Sequence, residues 1–269
     1  MTTNITLTVD GPVARVLFSA ENGIQLLGPE TRQRLAGVLG ELEAASGISV
    51  VVFEASGRVF IAGADINELR SLNEETAYAN SREGQSLMNR VAALPATTIV
   101  AIHGACAGGG CELALACDMR VATANARIGL PETGIGIIPG WGGTVRAPRI
   151  LGSASARRLI LTGELVDAAT ALQLGLVDSV ADDEPTLRTL VDTRVATILG
   201  RGPNARALAK SLITDFEGPP SEAQFEAEAQ AFAACYRTSE PNVGMTAFLE
   251  KATPDWHRGN VSVTPSDPA

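Results

Sequence analysis

Two stretches of this 269-residue chain set small residues beside a carboxylate in a way that suits carbonyl chemistry. In residues 98–118, TIVAIHGACAGGGCELALACD, a buried-strand pattern runs through small residues into Gly108-Gly109-Gly110, and a short apolar helix is predicted from about Gly110. Glycine at such a junction lets a ligand atom approach the backbone with no Cβ in the way. The free N–H groups of a helix's first turn carry partial positive charge. Glu112 falls in that same turn. Donors for a developing oxyanion beside an acid or base make a site that polarises a carbonyl and moves a proton near it. The second stretch, residues 57–69, GRVFIAGADINEL, is another small-residue loop entering a short helix. Its Ala62-Gly63-Ala64-Asp65 core again offers unencumbered N–H groups, with Asp65 placed to cap that helix. No Lys-Ser or Lys-Thr comes after either glycine run and the spacing is not G-x-G-x-x-G, so neither a phosphate loop nor a dinucleotide site is expected.

The elements that must position these loops read as α/β. Residues 5–10 alternate as a strand, Gly11-Pro12 turns, and residues 13–18 return, giving a hairpin. Pro29 opens a helix to about residue 45, with Leu35, Val38, Leu39 and Leu42 at helical spacing. Residues 49–54 are uniformly apolar at Val50–Phe53, hence a strand buried on both faces. A helix over 74–94 ends before Pro95, and the central strand at 98–102 comes next. Further strands are predicted at 119–123 and 176–180, with 126–131 extended. Residues 133–143, TGIGIIPGWGG, are too glycine-rich for regular structure and read as an ordered loop. Helices are predicted from 144 to Leu151-Gly152, over 154–161, and over 167–174 with Asp167 as cap. From 184 onward the pattern is helical over 184–199, 203–216, 221–236 and 240–251, with Phe225, Ala229 and Phe232 on one face.

Composition limits the function. With 45% hydrophobic and 19% charged residues the chain can build a core. A net charge of −9 and a pI near 4.8 argue against a nucleic-acid surface. Cys106, Cys111, Cys117 and Cys235 show no C-x-x-C pairing, so disulfide and zinc use are not expected and a reducing, cytoplasmic setting fits. Neither a signal peptide nor an apolar run of roughly 18 residues is found, so no membrane span is expected.

Taken in order, FIAGADINEL at Phe60, HGACAGGGCELALACD at His103, IGLPETGIGIIPGWGGT at Ile128, LTGELVDAATALQLGLVD at Leu161 and GMTAFLEK at Gly244 span nearly the whole chain. Together they resemble the enoyl-CoA hydratase/isomerase (crotonase) family. The resemblance implies a crotonase-like spiral of strand–strand–helix repeats over 1–200 and a C-terminal helical trimerisation or covering segment over 201–257, while the Gly, Ser, Pro, Asp and Asn content of 258–269 reads as a disordered tail. The resemblance also implies an acyl-CoA thioester as substrate, no cofactor besides the coenzyme A that the substrate carries, no metal, no membrane, and a homotrimer or dimer of trimers.

By motif position, the resemblance makes the N–H groups of Ala64 and Gly109 the oxyanion hole, and Glu112 and Glu132 the acids flanking a C2–C3 double bond. Like charges in a dry cleft are expected to push the two pKa values apart. Gly140 matches a glycine beside the bound water, and Trp141 is expected to line the acyl pocket. Ala62, Asp65, Ile66 and Gly108 are carried over as substrate contacts, as are Pro131, Phe248 and Lys251. Asp65 is also expected to cap, and His103 to pack rather than catalyse. The rival readings are a Δ3,Δ2-enoyl-CoA isomerase, which shuttles one proton with one carboxylate, another acyl-CoA enzyme of the same family, and, behind these, a non-catalytic CoA-binding protein. The chain departs from the family where a lysine often contacts CoA, since Asn67 stands there, and near the C-terminus, where the basic cluster shrinks to Lys251. Arg58 or Arg70 could stand in for the lost cations.

Overall fold

A computed structural model describes residues 3–215, 223, 232, 234–235 and 237–256. Alternating Ile5, Leu7 and Val9 form β1 (Asn4–Asp10), which turns through Gly11 at φ 53° into antiparallel β2 (Val13–Ser19). Pro29, with its φ preset for a first helical turn, opens α1 (Pro29–Ala44). The apolar run Val50–Phe53 is buried as predicted and forms β3 (Val50–Ala55), parallel to β2. Next come α2 (Ile66–Ser71), α3 (Glu74–Ala93) and β4 (Thr97–Ile102). Asn73 and Thr76 close a reciprocal capping box at the start of α3.

After the short β5 (Ala105–Ala107) the chain enters α4 (Gly109–Ala116), then β6 (Met119–Thr123) and β7 (Arg127–Gly129). The glycine-rich 133–143 segment is not wholly irregular: one 3-10 turn, Glu132–Ile135, precedes the open loop. The two helices expected beyond it are one run, α5 (Gly143–Thr162), broken at Gly152, whose φ 76° and ψ 156° are not helical. β8 (Leu165–Asp167), α6 (Ala168–Gln173) and β9 (Ser179–Ala181) come after it, with Asp167 capping α6 through the Thr170 N–H. Then come α7 (Glu184–Leu199), α8 (Pro203–Asp215) and a last helix, Glu240–Glu250.

The main sheet has the order β1-β2-β3-β4-β6-β9, and α/β is the fold class. A second sheet, β5-β7-β8, was not foreseen, because three-residue strands are too short to carry a period-2 signal. That small sheet positions the site. Ile61 bridges to Cys106 in parallel, and the Ala107 N–H donates to the Ile61 carbonyl at 3.0 Å. The two small-residue loops therefore leave the sheet side by side.

Contacts divide the chain into two compact units. Met1–Leu94 with Thr98–Thr193 holds both small-residue loops and, apart from Thr97, both sheets; in the other unit, Pro95–Thr97 with the chain from Arg194, the described residues past 194 are mostly helical. In the second unit Glu240 accepts from the Asn204 N–H at 2.9 Å, and Lys210 Nζ donates to the Ala96 carbonyl at 2.9 Å. The predicted 221–236 helix with Phe225 and Ala229, and the 258–269 tail, lie outside the described residues apart from a few positions.

Candidate active site

The paired loops line a cavity of about 720 Å3 in the first unit. From one loop come Ala62, Gly63 and Ala64; from the other come Gly108 and Gly109, with Glu112 behind them. Glu132, Pro131, Gly140 and Trp141 close the far side, and Ile66 and Tyr78 stand on the walls from α2 and α3. Sequence reasoning placed most of these residues, and the structure brings them to one cavity.

The glycines also serve a purpose that the sequence did not suggest. A Cβ on Gly110 would lie 2.4 Å from the Ile61 carbonyl oxygen, and one on Gly109 would lie 2.5 Å from the Trp141 ring. Here glycine admits the protein's own atoms, which lets the two loops and the indole close up. Neither the Ala64 nor the Gly109 N–H has a protein acceptor among the described residues, and both residues face the cavity. The Leu27 N–H donates to the Gly63 carbonyl at 2.8 Å. A trans peptide sets its C=O and N–H in opposite directions, so this bond turns the Ala64 N–H away from Leu27.

Both acids are buried, Glu112 at 2% exposure and Glu132 at 9%. Glu112 Oε1 accepts from the backbone N–H groups of Trp141 (2.7 Å) and Gly143 (2.8 Å). Glu132 Oε2 has no partner among the described residues. Burial, above all, pushes the Glu112 carboxyl up to about 7, with the Glu132 charge adding to the rise and the two amides opposing it. Glu132 is pushed up to about 6, again by burial. The expected splitting by like charge is thus secondary: loss of water raises both groups.

Other expectations resolve individually. Asp65 caps α2, accepting from the Asn67 N–H at 2.8 Å, and is not on the cavity wall; its carboxylate is taken up by the helix start. His103 is buried, and its Nε2 meets the Gly57 carbonyl at 3.1 Å. Trp141 is both cavity wall and core: it is buried, and its Nε1 donates to Asn80 Oδ1 at 3.2 Å. Lys251 is exposed in the second unit at φ 55°, just past the helix that carries Phe248, whose side chain lies outside the described residues. Asn67, Arg58 and Arg70 are exposed. Buried Cys106 and Cys111 have thiols pushed far up by burial, which suits inert core groups.

Sequence reasoning missed the α3 wall, where Ser81 and Gln85 both donate to the Gly140 carbonyl, at 2.6 and 3.2 Å. It also missed buried Arg32. The signal was available, because Arg32 falls in register with the apolar stripe of Leu35, Leu39 and Leu42.

A spiral of strand–strand–helix units with this cavity is a crotonase-like α/β protein. The pattern that defines the enoyl-CoA hydratase/isomerase family matches residues 13–259, and the chain belongs to that family. It is 34% identical over 249 residues to a short-chain-enoyl-CoA hydratase of Clostridium acetobutylicum, covering 92% of this chain and 95% of that one. A crotonyl-CoA hydratase of Syntrophomonas wolfei is 33% identical over 249 residues, with the same two coverages. Among solved structures, an enoyl-CoA hydratase from Bacillus anthracis superposes with a TM-score of 0.87 at 33% identity, over 94% of this chain and 98% of that one.

Proposed function

We infer that the protein is a hydro-lyase that adds water across the C2–C3 double bond of a 2-enoyl-CoA thioester. The observation that carries this reading is the pair of buried carboxyls on one cavity whose wall also offers two backbone N–H groups with no acceptor among the described residues. The hydratase relatives support the choice of reaction, and their names point first to a short acyl chain.

The chemistry starts from the enone. Conjugation with the thioester makes C3 electrophilic, and attack there drives charge onto the carbonyl oxygen. The Ala64 and Gly109 N–H groups receive that charge; one such donor is worth about 3 kcal/mol in comparable sites. Glu112, held by two amides that favour its ionised form, orients a water and takes its proton as the oxygen bonds to C3. Glu132, with a buried oxygen that has no donor among the described residues, delivers a proton to C2. The double bond becomes single, and one water is added. The two acids lie within about a pH unit of each other, so hydrogen bonding rather than acidity orders their roles. Polarisation and proton transfer come from this chain, and the chemistry calls for no separate cofactor.

Pro131, Ile66, Ala62, Gly108, Gly140 and Trp141 shape the acyl and thioester space in this reading, and Phe248 and Lys251 are substrate contacts by motif position. A homotrimer or dimer of trimers, a cytoplasmic setting, and a division into a spiral core (1–200), a helical trimerisation or covering segment (201–257) and a tail (258–269) complete the proposal; light scattering tests the assembly. The deciding assay is loss of enone absorbance from crotonyl-CoA, run beside a 3-enoyl-CoA. Rapid hydration of the first is expected, with kcat/KM falling below about pH 6, where both acids hold protons, and above about pH 7, where neither does. If the 3-enoyl ester were converted to its 2-enoyl isomer while crotonyl-CoA stayed intact, the isomerase would replace the hydratase.

A further inference from the structure

Arg32 is a buried cation that the reaction as proposed does not use, and its partners reach both halves of the site. At 4% exposure it forks onto Glu68, with Nη1 to Oε2 at 2.9 Å and Nη2 to Oε1 at 2.7 Å, while Nε donates to Glu83 at 3.0 Å. Nη1 also donates to the Leu27 carbonyl at 3.0 Å. Leu27 is the residue whose N–H holds the Gly63 carbonyl, and so the peptide that carries the Ala64 N–H. On the other side the guanidinium lies over the Trp141 ring, 5.5 Å from its centroid. Asn80 closes the circuit, donating to Glu68 at 3.0 Å and accepting from the Trp141 indole at 3.2 Å. The backbone N–H of Trp141 is one of the two that hold Glu112.

We propose that Arg32 is a positioning residue that locks the oxyanion peptide and the Glu112 clamp to each other, through Leu27 on one side and Trp141 on the other. It touches no substrate. The two elements that must stay in register across the thioester come from distant parts of the chain, and this guanidinium bonds or stacks on a neighbour of each. A planar fork suits the task, because it fixes direction as well as charge; a lysine keeps the charge and loses the geometry. Misplacing catalytic groups by about 1 Å costs on the order of 100-fold in rate.

The inference rests on the hydratase reading and is tested with Arg32→Lys in the full chain. Its kcat on crotonyl-CoA is expected to fall about 10- to 100-fold while KM moves less than about threefold, since binding contacts remain. Acetoacetyl-CoA supplies a second readout. Its enolate absorbs in the near ultraviolet, and an aligned oxyanion hole strengthens that band on binding; the variant should lose most of the gain. A folded Arg32→Lys with kcat within twofold of wild type and an unchanged enolate band would overturn the proposal. Should that variant not fold, Glu68→Gln, off the cavity wall, decides by loosening the fork that orients Arg32: about a fivefold loss of kcat with KM held supports the lock, and wild-type kcat refutes it. A wild-type protein that neither hydrates crotonyl-CoA nor alters the acetoacetyl-CoA band would sink the hydratase reading and this proposal together. An active wild type with indifferent variants sinks the proposal alone.

Discussion

Two buried charge clusters sit close together in this fold, and they are resolved in opposite ways. Around Arg32 one cation meets two carboxylates and a carbonyl, with the Glu68 side chain only 15% exposed. Burial pulls the guanidinium down, but the bonds to Glu68 and Glu83 outweigh it and Arg32 ends above its ordinary value. Glu112 and Glu132 have no cation within ion-pair distance among the described residues, and burial lifts both. An unpaired buried charge costs several kcal/mol, whereas a paired and hydrogen-bonded one is compensated. The first cluster is settled and holds the scaffold; the second is left in a state that a substrate and a water can relieve.

The contrast can be broken most severely at the acids. Glu112→Gln or Glu132→Gln should each cut crotonyl-CoA hydration about 1000-fold, read as kcat at saturating substrate. Near-normal turnover in both would remove the reason for leaving them unpaired. Next in size, Gly110→Ala places a Cβ 2.4 Å from the Ile61 carbonyl and must spread the two loops. A loss of about 100-fold in kcat with the fold retained by circular dichroism is expected. Wild-type kcat would mean that loop register is unimportant.

Stability sharpens the same comparison. The Glu112 carboxyl sits near 7 in the folded protein, above its ordinary value of 4.5. The native state therefore binds the proton more tightly, and wild-type stability should fall as pH rises from about 4.5 to about 7. Glu112→Gln escapes that fall. It should be more stable than wild type by about 1–3 kcal/mol at pH 8 in urea, with the gain gone near pH 4.5. A destabilised variant at pH 8 would show that the carboxylate is better compensated than its surroundings suggest. The smallest effect is expected at the rim of the paired cluster. Glu83, about half exposed, should cost no more than about 1 kcal/mol as Glu83→Gln in the same assay.

The order of the elements was legible because their signals are local. Val50–Phe53 is apolar on both faces, Pro29 and Asp167 mark helix starts, and the helix over 184–199 can be read from its sequence alone. Both loops and both acids were legible too, as small residues ahead of a helix and as motif positions. The three-residue strands of the second sheet were not, since they exist only through pairing with one another. Asp65 was read partly as a ligand contact, but capping keeps its carboxylate at the start of α2.

Residue types and spacing by themselves determined α/β, the two small-residue loops and Glu112 beside one of them, because each rests on neighbours in the chain; the spiral, the family and the parts proposed for Glu132 and the two amides came from the order of five motifs that resemble a known family. Only the tertiary structure decided why the glycines must be glycine, which oxygen of each acid is free, and that Arg32 bonds the Leu27 carbonyl while stacking on Trp141. These are contacts between residues up to about a hundred positions apart. No local propensity encodes them, and they appear only when the sheets have brought the segments together.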